Sequence, residues 1–419
     1  MKRKRKISVL SLVSVLMLTL STGVGYSSDC DTANRLAMEA GKIVRTNPAG
    51  AEIKLSDAVA ICPESTALLY NLAVTYYKMG RFPDAQYQLE KAVRKDPQFA
   101  KALNALASVI LADENGDQAR AEELARRAVA LEPSNLKFQD TLAKSIINVD
   151  EPPVTGQFKP NAVAVVIGNR DYKNSHVPAV DYAANDAAVI RQYLIKTMGF
   201  NERNIIYYQN ASKMDLSKVF GVSDDYRGEL YSRLKQGKSD VFLFYSGHGA
   251  PDPNTNQVFL LPTDADPESI KITGFSLDLL YANLAKIGEA KDVQSMTVVF
   301  DACFSGLSNS APVIANASSL GIRPKLPVFS LPNAAVITSS SGNQISSWYK
   351  EKQHGLFTYF FLKSIKDTVK KGKSLTVGDI RANMLDTSIV NEYAFRLYKR
   401  EQTPEIVGKM DTVLVEAEK

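Results

Sequence analysis

The sequence predicts an α/β fold, a mainly parallel sheet flanked by helices, preceded by an all-α domain. Three observations carry this. An Ala- and Leu-rich stretch over about 31–149 recurs with proline punctuation at Pro63, Pro97 and Pro133, spaced 34 and 36 residues apart. From Asn161 onward, short apolar runs alternate with amphipathic stretches, the pattern of strands joined by crossover helices. The chain of 419 residues is also long enough for two separate cores.

The chain opens with a leader. Met1 to Lys6 is basic, Ile7 to Leu20 is apolar, and small residues follow through Ser28. This order predicts a secretory signal over 1–28, with Gly23/Gly25 or Gly25/Ser27 suiting the cleavage positions. The alternative is an uncleaved anchor reaching Tyr26. Cys30 does not follow a Leu-Ala-Gly run, so no lipid anchor is expected. The leader holds five of the 50 Lys and Arg and no acid, so 45 charges of each sign remain after it. The +5 formal charge is therefore no argument for nucleic acid. The expected location is exported, periplasmic or secreted, without membrane attachment once the signal is cleaved. Only three cysteines occur. Cys30 and Cys62 form a disulfide or stay as two thiols; spacing alone does not choose.

Residues 29–149 read as helix pairs. In the middle unit, Leu69, Leu72, Ala73 and Tyr76 share one helical face. Ala85, Leu89 and Ala92 share another, and Gly80 turns between them. Leu103, Leu106 and Ala107, then Ala121, Ala125 and Ala128, repeat the scheme, with a longer turn at Asp113 to Asp117. The first unit keeps Ala51, Leu55 and Ala58 but has Arg35 and Lys42 at positions for bulky residues. These positions resemble a tetratricopeptide repeat, with small residues where paired helices touch and proline closing each unit. The resemblance implies a protein or peptide partner on the stack.

Residues 150–160, rich in proline, read as a linker. The 161–419 domain then alternates. Strands are expected at Ala162 to Gly168, Asn204 to Tyr208, Val241 to Tyr245, Met296 to Phe300, Ala334 to Ser339 and Thr412 to Glu416. Helices are expected at Asp181 to Met198, Tyr226 to Lys235, Ser276 to Ile287, Gly355 to Lys370 and Thr376 to Leu385.

Two segments at strand ends carry chemistry: Ser246-Gly247-His248-Gly249 and Asp301-Ala302-Cys303-Phe304-Ser305-Gly306. Open α/β sheets place their sites at such ends. A thiol and an imidazole there can form a nucleophile and its proton carrier. The spacing of 55 residues, with the histidine upstream, resembles the caspase arrangement. Ile167-Gly168-Asn169, Asn185-Asp186-Ala187, His354-Gly355-Leu356-Phe357-Thr358 and Gln402-Thr403-Pro404 extend the likeness over roughly 160–410. The domain thus resembles the caspase-like cysteine peptidases of the metacaspase and bacterial orthocaspase type.

That resemblance implies that Cys303 attacks a peptide carbonyl and that His248 protonates the leaving amine. It implies an oxyanion hole from the N–H groups of Gly249 and Cys303. Asp301, Ser246 and Asp186 match an acidic pocket, which favours Arg or Lys at P1, the residue before the cleaved bond. Ser347 and Trp348 match a stretch that pairs with substrate backbone, and Tyr349 stands where a caspase arginine would hold aspartate. Ala183 replaces a usual cysteine. His354 is expected to be structural or to cap its helix, and His176 to lie on the surface. No cofactor is required; Asp264, Asp266 and Asp278 are the weak candidates for a Ca2+ site. Self-cleavage after Lys325 is expected in the long segment from Ser305 to Asn333, with Arg323 protected by Pro324. The leading expectation is an exported cysteine endopeptidase acting on a protein or peptide substrate. The alternatives are a repeat-based binding scaffold and a thioester-forming peptide ligase.

Overall fold

The computed structural model describes residues 29–113, 116–304, 331–342 and 344–417. The leader over 1–28, and Arg323 and Lys325 with the proposed self-cleavage site, lie outside the described residues. Two compact units divide the chain between Asn148 and Val149.

The first unit is a stack of antiparallel helices: 29–43, Pro48–Ile61, Thr66–Lys78, Phe82–Lys95, Ala100–Ala112, Gln118–Leu131 and Leu136–Ser145. Local signals start these helices. Ser65 Oγ accepts from the Leu68 N–H, and Asp117 Oδ1 accepts from the Ala119 and Arg120 N–H groups. Gly80 takes φ +73°, a left-handed turn that suits glycine. Alanines 73, 85, 92, 107, 121, 125 and 128 are fully buried where helices meet, so the backbones approach closely. Leu69, Leu72, Leu89, Leu103 and Leu106 fill the seam, each stabilising by about 2 kcal/mol. In the first helix Ala33 and Ala40 face inward, which leaves Arg35 exposed; the bulky positions are replaced by small ones. Cys30 and Cys62 form a disulfide with a Cα–Cα distance of 5.3 Å, joining the ends of the first helical pair.

The second unit is built on a six-stranded sheet in the order β12-β8-β7-β3-β1-β2. Its strands are β1 (Val163–Gly168), β2 (Ile205–Gln209), β3 (Asp240–Ser246), β7 (Ser295–Asp301), β8 (Ala334–Thr338) and β12 (Glu405–Gly408). All pairings are parallel except β12 with β8. β1 is buried throughout, because helices cover both faces of the sheet. The chain runs outward from β1 to β2, then returns to β3 on the other side. This reversal opens a crevice at the carboxyl ends of β1 and β3.

Several expected elements change. Tyr226 to Lys235 forms only the short helix Glu229–Arg233. Thr376 to Leu385 starts as Val377–Arg381 and widens into a π turn at Ala382–Asp386. The last strand, β13 (Val413–Val415), pairs with β11 (Leu375–Thr376), away from the main sheet. The helices Lys213–Phe220 and Ile389–Tyr398 and the edge strand β12 are additions. Residues 150–160 do not behave as a free linker. Lys366 Nζ donates to the Glu151 carbonyl at 2.6 Å, and Thr155 Oγ1 donates to the Thr197 carbonyl at 2.7 Å. Gln157 exchanges hydrogen bonds with the Glu416 backbone. Proline removes donors, but Thr155, Gln157 and the Glu151 carbonyl find partners within the second unit.

Candidate active site

The strand register builds the site. Gly168 pairs with Ser246 and Ser246 with Asp301, so three strand ends lie in one row. His248 and Cys303 each follow that row by two residues. They therefore meet at one level on adjacent strands. A narrow cleft opens there, lined by Asp186, Ser246, His248, Asp301, Cys303, Ser347, Trp348 and Gly355, among others. Every catalytic and pocket residue expected from the sequence reaches this cleft except Gly249, which lies in β4 (Gly249–Pro251) beside it.

His248 is held from three sides. Its N–H donates to Tyr172 Oη at 2.8 Å, and its carbonyl accepts from Tyr245 Oη at 2.8 Å. Its Nε2 lies 2.7 Å from the Pro178 carbonyl, so Nε2 carries the proton. The Tyr172 ring packs on the imidazole with centroids 5.0 Å apart. Burial pulls the ring's pKa down to about 4, and only the Pro178 carbonyl opposes this. His248 is thus neutral at pH 7. Behind it, Asn169 ties loops together, accepting from the Ala211 N–H and donating to the Leu261 carbonyl.

Cys303 departs from expectation. Among the described residues no hydrogen bond joins it to His248. Its Sγ accepts from the Ser346 N–H at 2.7 Å, and burial pushes the thiol up to about 11. A thiolate–imidazolium pair is not favoured, because burial disfavours the charged form of both groups. The oxyanion hole is likewise not open. The Gly249 N–H donates to the Cys303 carbonyl at 3.2 Å, since the peptide after Cys303 turns back toward it. The Cys303 N–H has no acceptor among the described residues.

The other end of the cleft is acidic. Asp186 and Asp301 are 1 % and 6 % exposed, so water hardly screens them. Asp186 Oδ1 lies 2.6 Å from His354 Nδ1, and Asp186 also accepts from the Gly355 N–H. Asp301 Oδ2 accepts from Thr358 Oγ1 at 2.6 Å and from its N–H at 3.3 Å, at the start of helix Leu356–Lys370. Burial raises both carboxyls, and for Asp301 the Asp186 charge adds to the rise. A Cβ at Gly355 would stand 2.3 Å from Asp301 Oδ2 and 3.1 Å from Asp186 Oδ2, so only glycine leaves this floor open.

Ser347 and Trp348 line the cleft, with backbone groups already engaged within the protein. Ser347 is fully buried: its N–H donates to Gln402 Oε1, its carbonyl accepts from the Leu356 N–H, and its Oγ accepts from Arg400. Its N–H is thus already donated within the protein. The Trp348 carbonyl accepts from Tyr398 Oη, and its ring meets Tyr182 edge-on. Tyr349 points away into a cluster with Tyr359, Phe360 and Tyr393. His354 does not cap the helix; that position is Gly355. Its ring is fully buried between Asp186 and Asp150. His176 is exposed, as expected.

The three calcium candidates do not gather. Asp264 accepts from the Lys213 N–H, Asp266 from the Glu268 N–H, and Asp278 lies in the first turn of helix Leu277–Lys291. Among the described residues no group of three or more His, Cys, Asp or Glu is placed to hold a metal. No helix among them is long and apolar enough to cross a membrane.

Sequence reasoning missed Tyr172, Pro178, Arg400 and Asp150. Tyr172 follows the Ile167-Gly168-Asn169 strand end by three residues, the one local signal. The others act through backbone or long-range contacts that no spacing reveals.

A parallel sheet with cysteine and histidine at one edge defines a cysteine-peptidase type of site. The chain belongs to the caspase-domain family, whose model matches residues 161–415, a family of cysteine-peptidase-type hydrolases. A tetratricopeptide repeat model matches residues 38–109, a kind of repeat that commonly binds peptides. No curated protein matches the sequence. Among solved structures, caspase-1 from Spodoptera frugiperda is similar at 11% identity and a TM-score of 0.42, over 64% of this chain and 94% of that one. The first repeat domain of human RPAP3 is similar at 20% identity and a TM-score of 0.26, over 28% and 91%. A complex of the TPR2B domain of yeast Sti1 with an Hsp70 peptide is similar at 21% identity and a TM-score of 0.26, over 27% and 95%.

Proposed function

We propose that the chain is an exported cysteine endopeptidase of the metacaspase type, cleaving after Arg or Lys. The repeat stack holds a protein or peptide partner or substrate. The observation that carries this reading is the shared strand-end row, with His248 and Cys303 beyond it and a floor of two buried carboxylates beside them. A basic P1 side chain supplies the charge that this floor lacks. The Cys30–Cys62 bridge, in a chain with a signal-like leader, supports export to an oxidising compartment.

In this mechanism substrate displaces the Ser346 N–H from Cys303 Sγ. The thiol proton passes to His248 as sulfur attacks the carbonyl carbon. The imidazolium then protonates the leaving amine, and water hydrolyses the thioester. The Cys303 carbonyl must swing away from Gly249 before both N–H groups can hold the oxyanion. No cofactor enters these steps.

The test is a peptide series with Arg, Lys, Asp or Asn at P1, with and without calcium, on the full chain and on Cys303→Ala. Cys303-dependent cleavage after Arg and Lys is expected, and preference for Asp would overturn the pocket assignment. A second reading, a binding scaffold, draws on the thiol being hydrogen-bonded to Ser346 and not to His248. Absence of any Cys303-dependent cleavage would favour it. A ligase would instead yield joined peptides when an amine acceptor is added.

A further inference from the structure

The buried His354 ring has a carboxylate at each nitrogen. Nδ1 lies 2.6 Å from Asp186 Oδ1, and Nε2 lies 3.0 Å from Asp150 Oδ1. With both carboxyls ionised each oxygen accepts, so both ring nitrogens carry protons and the ring is an imidazolium. Asp186 belongs to the cleft floor. Asp150 belongs to the 150–160 segment, outside the cleft, with its side chain half exposed.

We propose that Asp150 is a positioning residue for P1 recognition: through His354 it balances the imidazolium charge, so that Asp186 keeps its negative charge available to a basic side chain. This rests on the reading of the cleft as a pocket for Arg or Lys. The charge count gives the reason. Asp150, His354 and Asp186 together carry one net negative charge. Without Asp150, an imidazolium that stays protonated cancels Asp186. An imidazole that loses its proton gives Asp186 a weaker hydrogen bond, and the buried carboxyl takes up a proton. Either course leaves the floor less able to hold a cation.

The charged groups around the ring fit this role. Helix Ala183–Lys196 contributes Asp186, with the Asn185 amide 3.5 Å from Nδ1. The 150–160 segment contributes Asp150 and Glu151. Helix Leu356–Lys370 contributes Lys366 and Asp367, both within electrostatic reach of Asp150 or its neighbours. β7 contributes Asp301 beyond Asp186. The two carboxylates raise the ring to about 9 against its burial, so it stays charged across neutral pH.

The experiment compares two peptides that differ only at P1, one with arginine and one with citrulline, its neutral isostere. The full chain is assayed as wild type, Asp150→Asn, Asp150→Ser and Asp150→Glu. In the two neutral variants KM for the arginine peptide should rise about fivefold, the size expected of one half-exposed charge. kcat and the citrulline KM should hold, and Asp150→Glu should restore the wild-type KM. The same rise for both peptides, an unchanged KM, or a fall in kcat alone overturns the proposal, because a merely structural strap would act on both peptides alike. If the wild type cuts neither peptide, the pocket reading itself fails. The histidine ring signals of full-length Cys303→Ala, with and without Asp150→Asn, then decide the present point. His354 should titrate at lower pH without Asp150, and an unmoved titration overturns the inference.

Discussion

The two ends of the cleft each hold a buried histidine, and the two titrate in opposite directions. His248, at the reacting end, meets a carbonyl and an aromatic ring, and burial holds it neutral down to about 4. His354, under the acidic floor, meets two carboxylates and stays charged up to about 9. Burial disfavours the charged form at both. The anions at His354 outweigh it, while a carbonyl dipole at His248 does not. The proposed proton carrier is thus kept neutral, while the proposed charge-setting group is kept ionised across neutral pH. Removing each end in turn tests this division.

The largest effect belongs to the reacting end. Cys303→Ala and His248→Ala should each lower kcat/KM on an arginine peptide by about 1,000-fold or more. Neither should alter the pH dependence of stability that comes from His354. Steady-state kinetics beside chemical denaturation at several pH values checks both points. Loss of the floor's pH signature in the Cys303 variant would mean that the two ends are one coupled network.

The floor comes second. His354→Gln removes the cation between two carboxylates and should cost about 3 kcal/mol of unfolding free energy near neutral pH. The folded pKa of about 9 lies above the reference 6.5. The imidazolium's contribution is therefore full below pH 6.5 and is lost as pH climbs past about 9. The gap between wild type and variant, read from urea midpoints, should be widest in mild acid and should narrow above pH 9. His248 works the other way: its cost to stability grows as pH falls from 6.5 toward 4. A gap that widens with alkali would break the comparison.

The sequence made the two ends unequally legible. Alternating apolar runs and two strand-end segments were enough to place Cys303 and His248, because a parallel strand puts successive residues at fixed heights. The acidic floor was half legible: Asp186 and Asp301 emerged through resemblance and His354 as a structural residue, but its place between Asp186 and Asp150 did not. Asp150 lies 36 residues before Asp186 and 204 before His354. Proline around it read as a linker, since composition records stiffness and not what a segment packs against. The resting contacts of Cys303 with Ser346, and of Gly249 with the Cys303 carbonyl, were invisible for a different reason. Each is made by a backbone N–H, one to the Cys303 sulfur and one to its carbonyl, and no side-chain pattern encodes where such a donor falls.

Asp301 probes where the floor meets the substrate. Its carboxyl is raised by burial and by the charge of Asp186. It is protonated in acid, so the floor carries less negative charge there. KM for an arginine peptide should fall as pH rises beyond the ordinary carboxylate range, whereas a citrulline peptide should show no such limb. Asp301→Asn should raise KM for arginine about tenfold at pH 7.5 and erase the limb, leaving Thr358 a hydrogen-bond acceptor in the amide oxygen. A limb shared by both peptides would assign the titration to the reacting end instead.

The smallest expected effect separates packing from hydrogen bonding at His248. Tyr172 does two things: its ring lies 5.0 Å from the imidazole, and its hydroxyl oxygen accepts the His248 N–H at 2.8 Å. Tyr172→Phe keeps the ring and removes the acceptor. The buried N–H is then without that partner, a loss of about 1 kcal/mol. Because the N–H fixes the backbone and not the ring proton, kcat should fall only about threefold, and the pH profile should keep its shape. Tyr172→Ala also removes the ring and admits water. That should ease the burial of His248 and shift its ionisation upward toward 6.5, visible as a new acid limb in kcat/KM. If Tyr172→Phe already produced that limb, the hydroxyl, and not dryness, would be what keeps His248 neutral.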